Sequence, residues 1–137
     1  MTKTELAQIY RDYIACLNRR ELSALGRYVH ENVSHNGRPL GVAGYRGMLE
    51  NDYADIPDLH FDVELLIVDP PCVASRLHFD CTPRATFMNL GADGVRVSFA
   101  ENVFYEFAQE KIIRVWSVID KAAIEAQLQA RRVGRSA

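Results

Sequence analysis

The spacing of apolar residues changes once along this chain, from a helical to a strand-like period, near residue 58. Before that point apolar side chains recur every three or four residues, as on one face of a helix. After it they alternate with polar ones, as in a strand. Helices followed by strands favour an α+β fold over an alternating α/β fold. We therefore predict one curved antiparallel sheet wrapped around N-terminal helices as a cone, with an internal cavity between the layers.

The element boundaries follow from caps and turn formers. Thr2 with Glu5, or Thr4 alone, can cap the first helix. The segment Asn32–Gly41 is rich in turn formers and is predicted to be a loop. Predicted helices cover the first 28 residues with a break near Asn18, then Val42–Ala54 and Ala122–Arg131. Predicted strands are Leu59–Val68, Val73–Thr82, Val95–Phe107 and Ile112–Ile119, with Thr86–Leu90 either a short strand or a bulged extension.

The composition fits one domain over residues 1–137, with a frayed tail at 132–137. The net charge of −2 gives no basic excess, so we expect no nucleic-acid partner. The apolar runs are too short for a membrane span, the start lacks a secretory segment, and we expect no membrane partner. The three cysteines are odd in number and have no paired spacing, which is typical of a reducing compartment and predicts a cytoplasmic protein.

Motifs for phosphate loops, paired cysteines, zinc helices and nucleophile elbows are absent from the sequence. His30 and His35 lie five residues apart, and His78 and Asp80 share one face of a strand. A metal site needs three or four converging ligands, so we predict none.

Asp120 ends the last predicted strand, where alternation places it on one side with Trp116 and Val118. An aspartate there either caps the helix that begins at Lys121 or is a carboxylate held at a pocket. The two roles are evenly weighted from the residues, and they can coexist.

Glu101 shares its strand face with Val103, Tyr105 and Phe107, which makes it a carboxylate on a mostly apolar face. Burial would raise its pKa, which suits a proton-transfer group. The alternative is a buried ion pair with an arginine such as Arg76 or Arg114. We favour the proton-transfer role.

Other polar residues are weaker candidates. His35 lies in the turn-rich loop, where a surface position is the simpler interpretation. The alternating row Arg76, His78, Asp80 and Thr82 indicates a solvated face or a polar dimer surface. Trp116 and Tyr105 are expected to be walls of a pocket or core.

Several segments together resemble the SnoaL-like polyketide cyclases, also called ester cyclases, of the nuclear transport factor 2-like superfamily. The matching segments run over most of the chain. They are Val33-Ser-His-Asn-Gly37, Gly41-Val-Ala-Gly-Tyr45, Ile56-Pro-Asp-Leu-His-Phe61, Val73-Ala-Ser-Arg76, Cys81-Thr82, Glu101-Asn-Val-Phe-Tyr-Glu-Phe107 and Lys111-Ile-Ile-Arg-Val-Trp-Ser-Val-Ile-Asp120.

This resemblance implies an α+β cone with a deep apolar cavity, dimers, and no metal or organic cofactor. It also implies ring closure of a polyketide ester by intramolecular aldol condensation, with an acidic residue as base. The acid of the family's Trp-x-x-x-Asp pattern carries over onto Asp120. Where many members read Gly-Thr-His, this chain has Cys81-Thr82-Pro83, so one family histidine is missing.

Our hypothesis from the sequence is a cofactor-independent enzyme that moves protons on a small hydrophobic carbonyl compound. Asp120 would be the base, and Glu101 or Tyr105 would donate to the enolate oxygen. The remaining candidates are His35 at the pocket mouth and the substrate-binding residues Tyr105, Trp116, Phe107 and Arg76.

Two alternatives remain. One is an isomerase or epoxide hydrolase on the same cone. The other, motivated by the missing histidine, is a non-catalytic small-molecule-binding dimer module. In each case we expect a homodimer joined through the exposed face of the sheet.

Overall fold

The computed structural model of the protein describes residues 1–84 and 87–136. Within these ranges the chain is an α+β structure whose helices pack against a curved sheet, as predicted. The helices are α1 (Lys3–Arg19), α2 (Gly41–Asp55) and α3 (Lys121–Ser136), with 3₁₀ segments at Leu22–Arg27 and Phe87–Asn89. The strands are β1 (Val29–His35), β2 (Arg38–Pro39), β3 (Asp62–Asp69), β4 (Cys72–Cys81), β5 (Val97–Ala108) and β6 (Lys111–Ile119).

The first helix begins as its sequence predicts. The backbone N–H of Glu5 donates to the Thr2 hydroxyl oxygen at 3.1 Å, which satisfies a helix-terminal donor. The helix ends where Arg20 adopts a left-handed conformation with φ 57°. Apolar residues on one face of α1 are buried, and the ring centroid of Tyr10 lies 5.0 Å from that of Tyr105 on β5. This contact fixes α1 against the inner face of the sheet.

The strand order is β2-β1-β6-β5-β4-β3. The last four strands along the chain form the antiparallel meander that the sequence predicts, with β3 paired to β4, β4 to β5 and β5 to β6. Burial alternates along β4 and β5, so that one face lies in the core and the other faces outward.

The predicted loop Asn32–Gly41 is largely a strand pair, which corrects the sequence analysis. Asn36 and Gly37, with φ 48° and 83°, form the tight turn between β1 and β2. Asn-Gly is the strongest short signal for such a hairpin. β1 also pairs in parallel with β6, so the sheet is mixed and not wholly antiparallel. Val29 and Val33 are fully buried, which explains why a segment of polar appearance enters the sheet.

Smaller differences occur at element ends. β3 begins at Asp62, because the backbone N–H of Phe61 donates to the Asn18 side chain and holds this segment against α1. α3 continues to Ser136, beyond the predicted end at Arg131. The expected fraying of residues 132–137 stays a prediction, and Ala137 lies outside the described residues. Of the segment predicted as a short strand at Thr86–Leu90, Thr86 also lies outside them, and Phe87–Asn89 form a 3₁₀ turn.

The described helices include none with the length and apolar character needed to cross a membrane.

Candidate active site

A cavity of about 310 Å³ lies between α1 and α2 on one side and the inner face of the sheet on the other. Apolar side chains of α1, α2, β4 and β5 form much of its wall, and the polar groups that enter it come from different elements. Such a cavity, apolar with a few converging polar groups, is the usual form of a small-molecule site.

Glu101 projects into this cavity from β5, on the same face as Val103 and Tyr105, as strand alternation predicts. Burial raises the pKa of its carboxyl to about 7, and the nearby charge of Asp52 adds to the rise. A hydrogen bond from Ser117 on β6 opposes it. The alternative, an ion pair of Glu101 with Arg76 or Arg114, is not formed, because Arg76 pairs with Glu64 and Arg114 pairs with Glu106. Glu101 therefore exchanges its proton near neutral pH.

Asp52 on α2 is a second carboxyl in the cavity wall, and the sequence analysis missed it. Asp52 is exposed to solvent, yet the surrounding protein raises the pKa of its carboxyl to about 6, with Asp55 contributing. The spacing of residues along α2 is the sequence signal that could have identified Asp52. Asp52 follows Tyr45 by seven residues and Leu49 by three, which places all three on one helix face. Both other residues are buried.

His35 lies in the cavity wall and not on the outer surface. Its Nε2 atom is 2.9 Å from the hydroxyl oxygen of Ser117, the residue that also bonds Glu101. Burial and the charge of Arg38 lower the pKa of the imidazole, so the ring is neutral at pH 7. His35, Ser117 and Glu101 thus lie in a row along one wall, in which His35 is hydrogen-bonded to Ser117.

Tyrosine hydroxyls line the wall opposite the row. The hydroxyl oxygens of Tyr13 and Tyr45 are 2.8 Å apart. Burial raises the pKa of both phenols, so both stay protonated. Two hydroxyls bonded to each other use one of their two hydrogens, and the second can donate to a ligand. Tyr105 also lines the cavity, as predicted, and contacts the Tyr10 hydroxyl at 3.4 Å.

The structure places Trp116, Arg76 and Phe107 outside the wall of this cavity. Trp116 is 44% exposed on the outer face of the sheet, which corrects its assignment to the pocket. Arg76 is also on the outer face, where it bonds Asn102. Phe107 is buried in the core. Both faces of β6 carry apolar residues, so alternation alone could not tell which face is internal.

Asp120 acts as the cap of α3. Its carboxylate accepts a hydrogen bond from the backbone N–H of Ala123 at 3.1 Å, and its own backbone N–H donates to Ala100. Among the described residues that line the cavity, Asp120 is not present, while its neighbour Ile119 is. The expected convergence of Asp120 and Glu101 is therefore not found, and a catalytic role for Asp120 stays a prediction.

Metal ligands do not converge in the described part of the chain, where no group of three or more histidine, cysteine, aspartate or glutamate side chains could hold an ion. The groups that the cavity does present are acid–base groups: two carboxyls, a neutral imidazole and protonated phenols.

The fold and the cavity define a class of protein, an α+β cone with acid–base groups inside. The chain belongs to the SnoaL-like polyketide cyclase family, whose model matches residues 7–128. A comparison with curated protein sequences gives no match.

Solved structures support the family assignment. A SnoaL-like polyketide cyclase from Agrobacterium tumefaciens is 54% identical, with a TM-score of 0.90 over 93% of this chain and 99% of that one. A putative polyketide cyclase from Acidithiobacillus ferrooxidans is 20% identical, with a TM-score of 0.78 over 95% and 99% of the two chains. AclR, a putative hydroxylase from Streptomyces galilaeus, is 21% identical, with a TM-score of 0.75 over 94% and 98%. The last two show the fold alone.

Proposed function

We propose that this protein is a cofactor-independent enzyme that transfers protons on a small hydrophobic carbonyl compound and closes a ring by an intramolecular aldol reaction. Family membership supports a cyclase or isomerase type of activity. The observation that carries the proposal is the placement of Glu101 and Asp52 in one cavity, with pKa values of about 7 and about 6.

The two carboxyls line one cavity, and the charge of Asp52 helps to raise the pKa of Glu101. Near neutral pH this pair holds about one proton, so that one carboxylate and one carboxylic acid face the same ligand. Asp52 ionises first and supplies the base, and Glu101 retains the proton and supplies the acid. This replaces Asp120 as the base and keeps the donor role that the sequence predicts for Glu101.

The reaction then needs groups from this chain alone. The Asp52 carboxylate takes a proton from the carbon next to a carbonyl group, and the resulting enolate carbon attacks a second carbonyl carbon of the same molecule. The new alkoxide receives the Glu101 proton, so the ring closes with no atom gained or lost. The free hydroxyl hydrogen of the Tyr13–Tyr45 pair can stabilise the enolate oxygen.

An isomerase is the second candidate, because the same two carboxyls could remove a proton at one carbon and return it at another. Both activities begin with removal of a proton next to a carbonyl. A non-catalytic binding module is less favoured, since a solvent-exposed or ion-paired carboxyl would be sufficient for binding and would not need a raised pKa.

Exchange of carbon-bound hydrogen tests the shared first step without knowledge of the natural substrate. The protein is incubated with 2-methylcyclohexanone in D₂O at pH 7, and loss of the proton signals next to the carbonyl is followed by NMR. We expect exchange well above that of buffer and of heat-unfolded protein. No acceleration over those controls would favour the binding module and contradict the proposal.

We further propose that two copies of the chain associate through the outer face of the sheet. An apolar patch on β3, β5 and β6 is exposed there. It consists of Leu65, Ile67, Phe104, Trp116 and Val118.

A cytoplasmic location remains part of the proposal. It rests on the three cysteines, which are unpaired.

A further inference from the structure

A second, smaller pocket of about 50 Å³ adjoins the cavity. The two share part of their walls, including Asp52, Glu101 and Ile119. The rest of the smaller pocket is formed by apolar side chains from the end of α2, the segment before β3, and strands β4 and β5. These are Ile56, Leu59, Phe79 and Phe99, together with Phe61, which also lines the larger cavity. The two carboxyls therefore lie between a larger, partly polar chamber and a small apolar one.

We propose that this small pocket, called here the phenylalanine pocket, binds a short apolar branch on the carbon that loses its proton. The inference rests on the proposed function and specifies its substrate class. A carbon held against the carboxyls bears the proton, the carbonyl carbon and two further substituents. The carbonyl group and the longer of these substituents must lie in the larger chamber, where the tyrosine hydroxyls can donate. The remaining substituent enters the phenylalanine pocket.

The size and the rigidity of the pocket limit this branch to about one to three carbon atoms, because a water-sized group occupies roughly 30 Å³ in a liquid. Phe61 packs edge-on against Phe79 with ring centroids 5.4 Å apart, and Phe79 lies 5.3 Å from Phe99. Aromatic rings that support one another resist displacement. A longer branch would have to move a ring, so the pocket selects by length.

Binding of a homologous series tests this inference. The probes are cyclohexanone and its 2-methyl, 2-ethyl, 2-propyl and 2-butyl derivatives, titrated into the protein by calorimetry at pH 7. Each carbon that fits should improve affinity by about fourfold, from the burial of a methylene group. We expect affinity to rise to the ethyl or propyl derivative and then to fall. A continued rise through butyl, or no measurable binding of any probe, would overturn the inference.

Two phenylalanines on β5 provide a matched pair of variants. Phe99 lines the pocket, whereas Phe107 is equally buried, on the same strand, and away from both cavities. Phe99→Leu should move the best branch one or two carbons longer, and Phe107→Leu should leave the best length unchanged. An unchanged length preference in folded Phe99→Leu, or the same change in both variants, would contradict the inference.

The binding series also separates this inference from the proposed function. Length-selective binding without hydrogen exchange would retain the pocket and overturn the catalytic proposal. Hydrogen exchange without length-selective binding would retain the catalytic proposal and overturn the inference about the phenylalanine pocket.

Discussion

At the scale of single residues, the position of Glu101 was predictable because it depends only on the alternation along its own strand. The positions of Trp116 and Asp52 depend on residues far away in the sequence, and these were not predicted. Strand alternation alone places Glu101 on an apolar face, and the structure confirms that face as the cavity wall. It cannot say which face of β6 is internal, because Trp116 and Val115 are both apolar. Asp52 and Glu101 line the same cavity although they are 49 positions apart in the sequence, and no local pattern predicts that a helix residue and a strand residue so far apart share a site.

The raised pKa of Glu101 makes stability depend on pH. Its ordinary pKa is 4.5, which applies to the unfolded chain, and its folded value is about 7. Between these values the folded chain holds a proton that the unfolded chain has released. The free energy of unfolding therefore falls as pH rises through this window. Above the folded pKa, where Glu101 is ionised in both states, this loss of stability has reached its full size.

Glu101→Gln removes this loss of stability, so we expect the variant to be more stable than the natural protein at pH 8 by about 3 kcal/mol. The difference should shrink toward zero near pH 4.5. Urea unfolding at several pH values measures it, with Glu106→Gln on the same strand as control. A stability difference between Glu101→Gln and the natural chain that does not change with pH would show that Glu101 ionises normally.

At the scale of elements, the sequence predicts most of the architecture because each helix and strand carries its own period and its own stop signal. Thr2 and Glu5 fix the start of α1. The Asn36-Gly37 pair is a hairpin signal, but the turn formers on either side of it predict a longer loop. The parallel contact of β1 with β6 was not predictable in the same way. It depends on burial of Val29 and Val33 against the rest of the core.

The cap of α3 gives a prediction at this scale. Asp120→Ala removes the acceptor for the Ala123 N–H and should cost about 1 kcal/mol of stability, while Asp120→Asn keeps a good cap and should cost little. Because the Asp120 side chain is not among the described groups that line the cavity, Asp120→Asn should leave hydrogen exchange within about threefold of the natural rate, well short of the hundredfold loss or more that removal of a general base causes.

Thermal unfolding and the 2-methylcyclohexanone assay on both variants check these two expectations. A loss of exchange of a hundredfold or more in a fully folded Asp120→Asn protein would restore Asp120 as the catalytic base.

At the scale of the whole molecule, the order of helices and strands and the family resemblance were sufficient to predict an α+β cone with a cavity, and the family match confirms the assignment. The residues that line the cavity could not be predicted to the same extent, because they come from α1, α2 and several strands, which are far apart in the sequence. Pro83, at the position of the missing family histidine, is buried, and the acid–base groups that line the cavity come from other positions.

The proposed dimer is also a property of the whole molecule. Val118 is 70% exposed at the outer apolar patch, so Val118→Asp should disrupt association without disturbing the core. Sedimentation equilibrium at micromolar concentration should give twice the chain mass for the natural protein and the chain mass for the variant. A monomer in both cases would contradict the proposed association.

The central claim is that Glu101 and Asp52 together hold and transfer the proton. The most direct measurement is the rate of hydrogen exchange of 2-methylcyclohexanone across pH 5–9 for Glu101→Gln and Asp52→Asn. The matched controls are Glu106→Gln on β5 and Glu50→Gln on α2, both in ion pairs away from the cavity. We expect each cavity variant to lose roughly 10²–10⁴-fold in rate and each control to lose less than about twofold. Folded cavity variants that exchange at the natural rate would contradict the account.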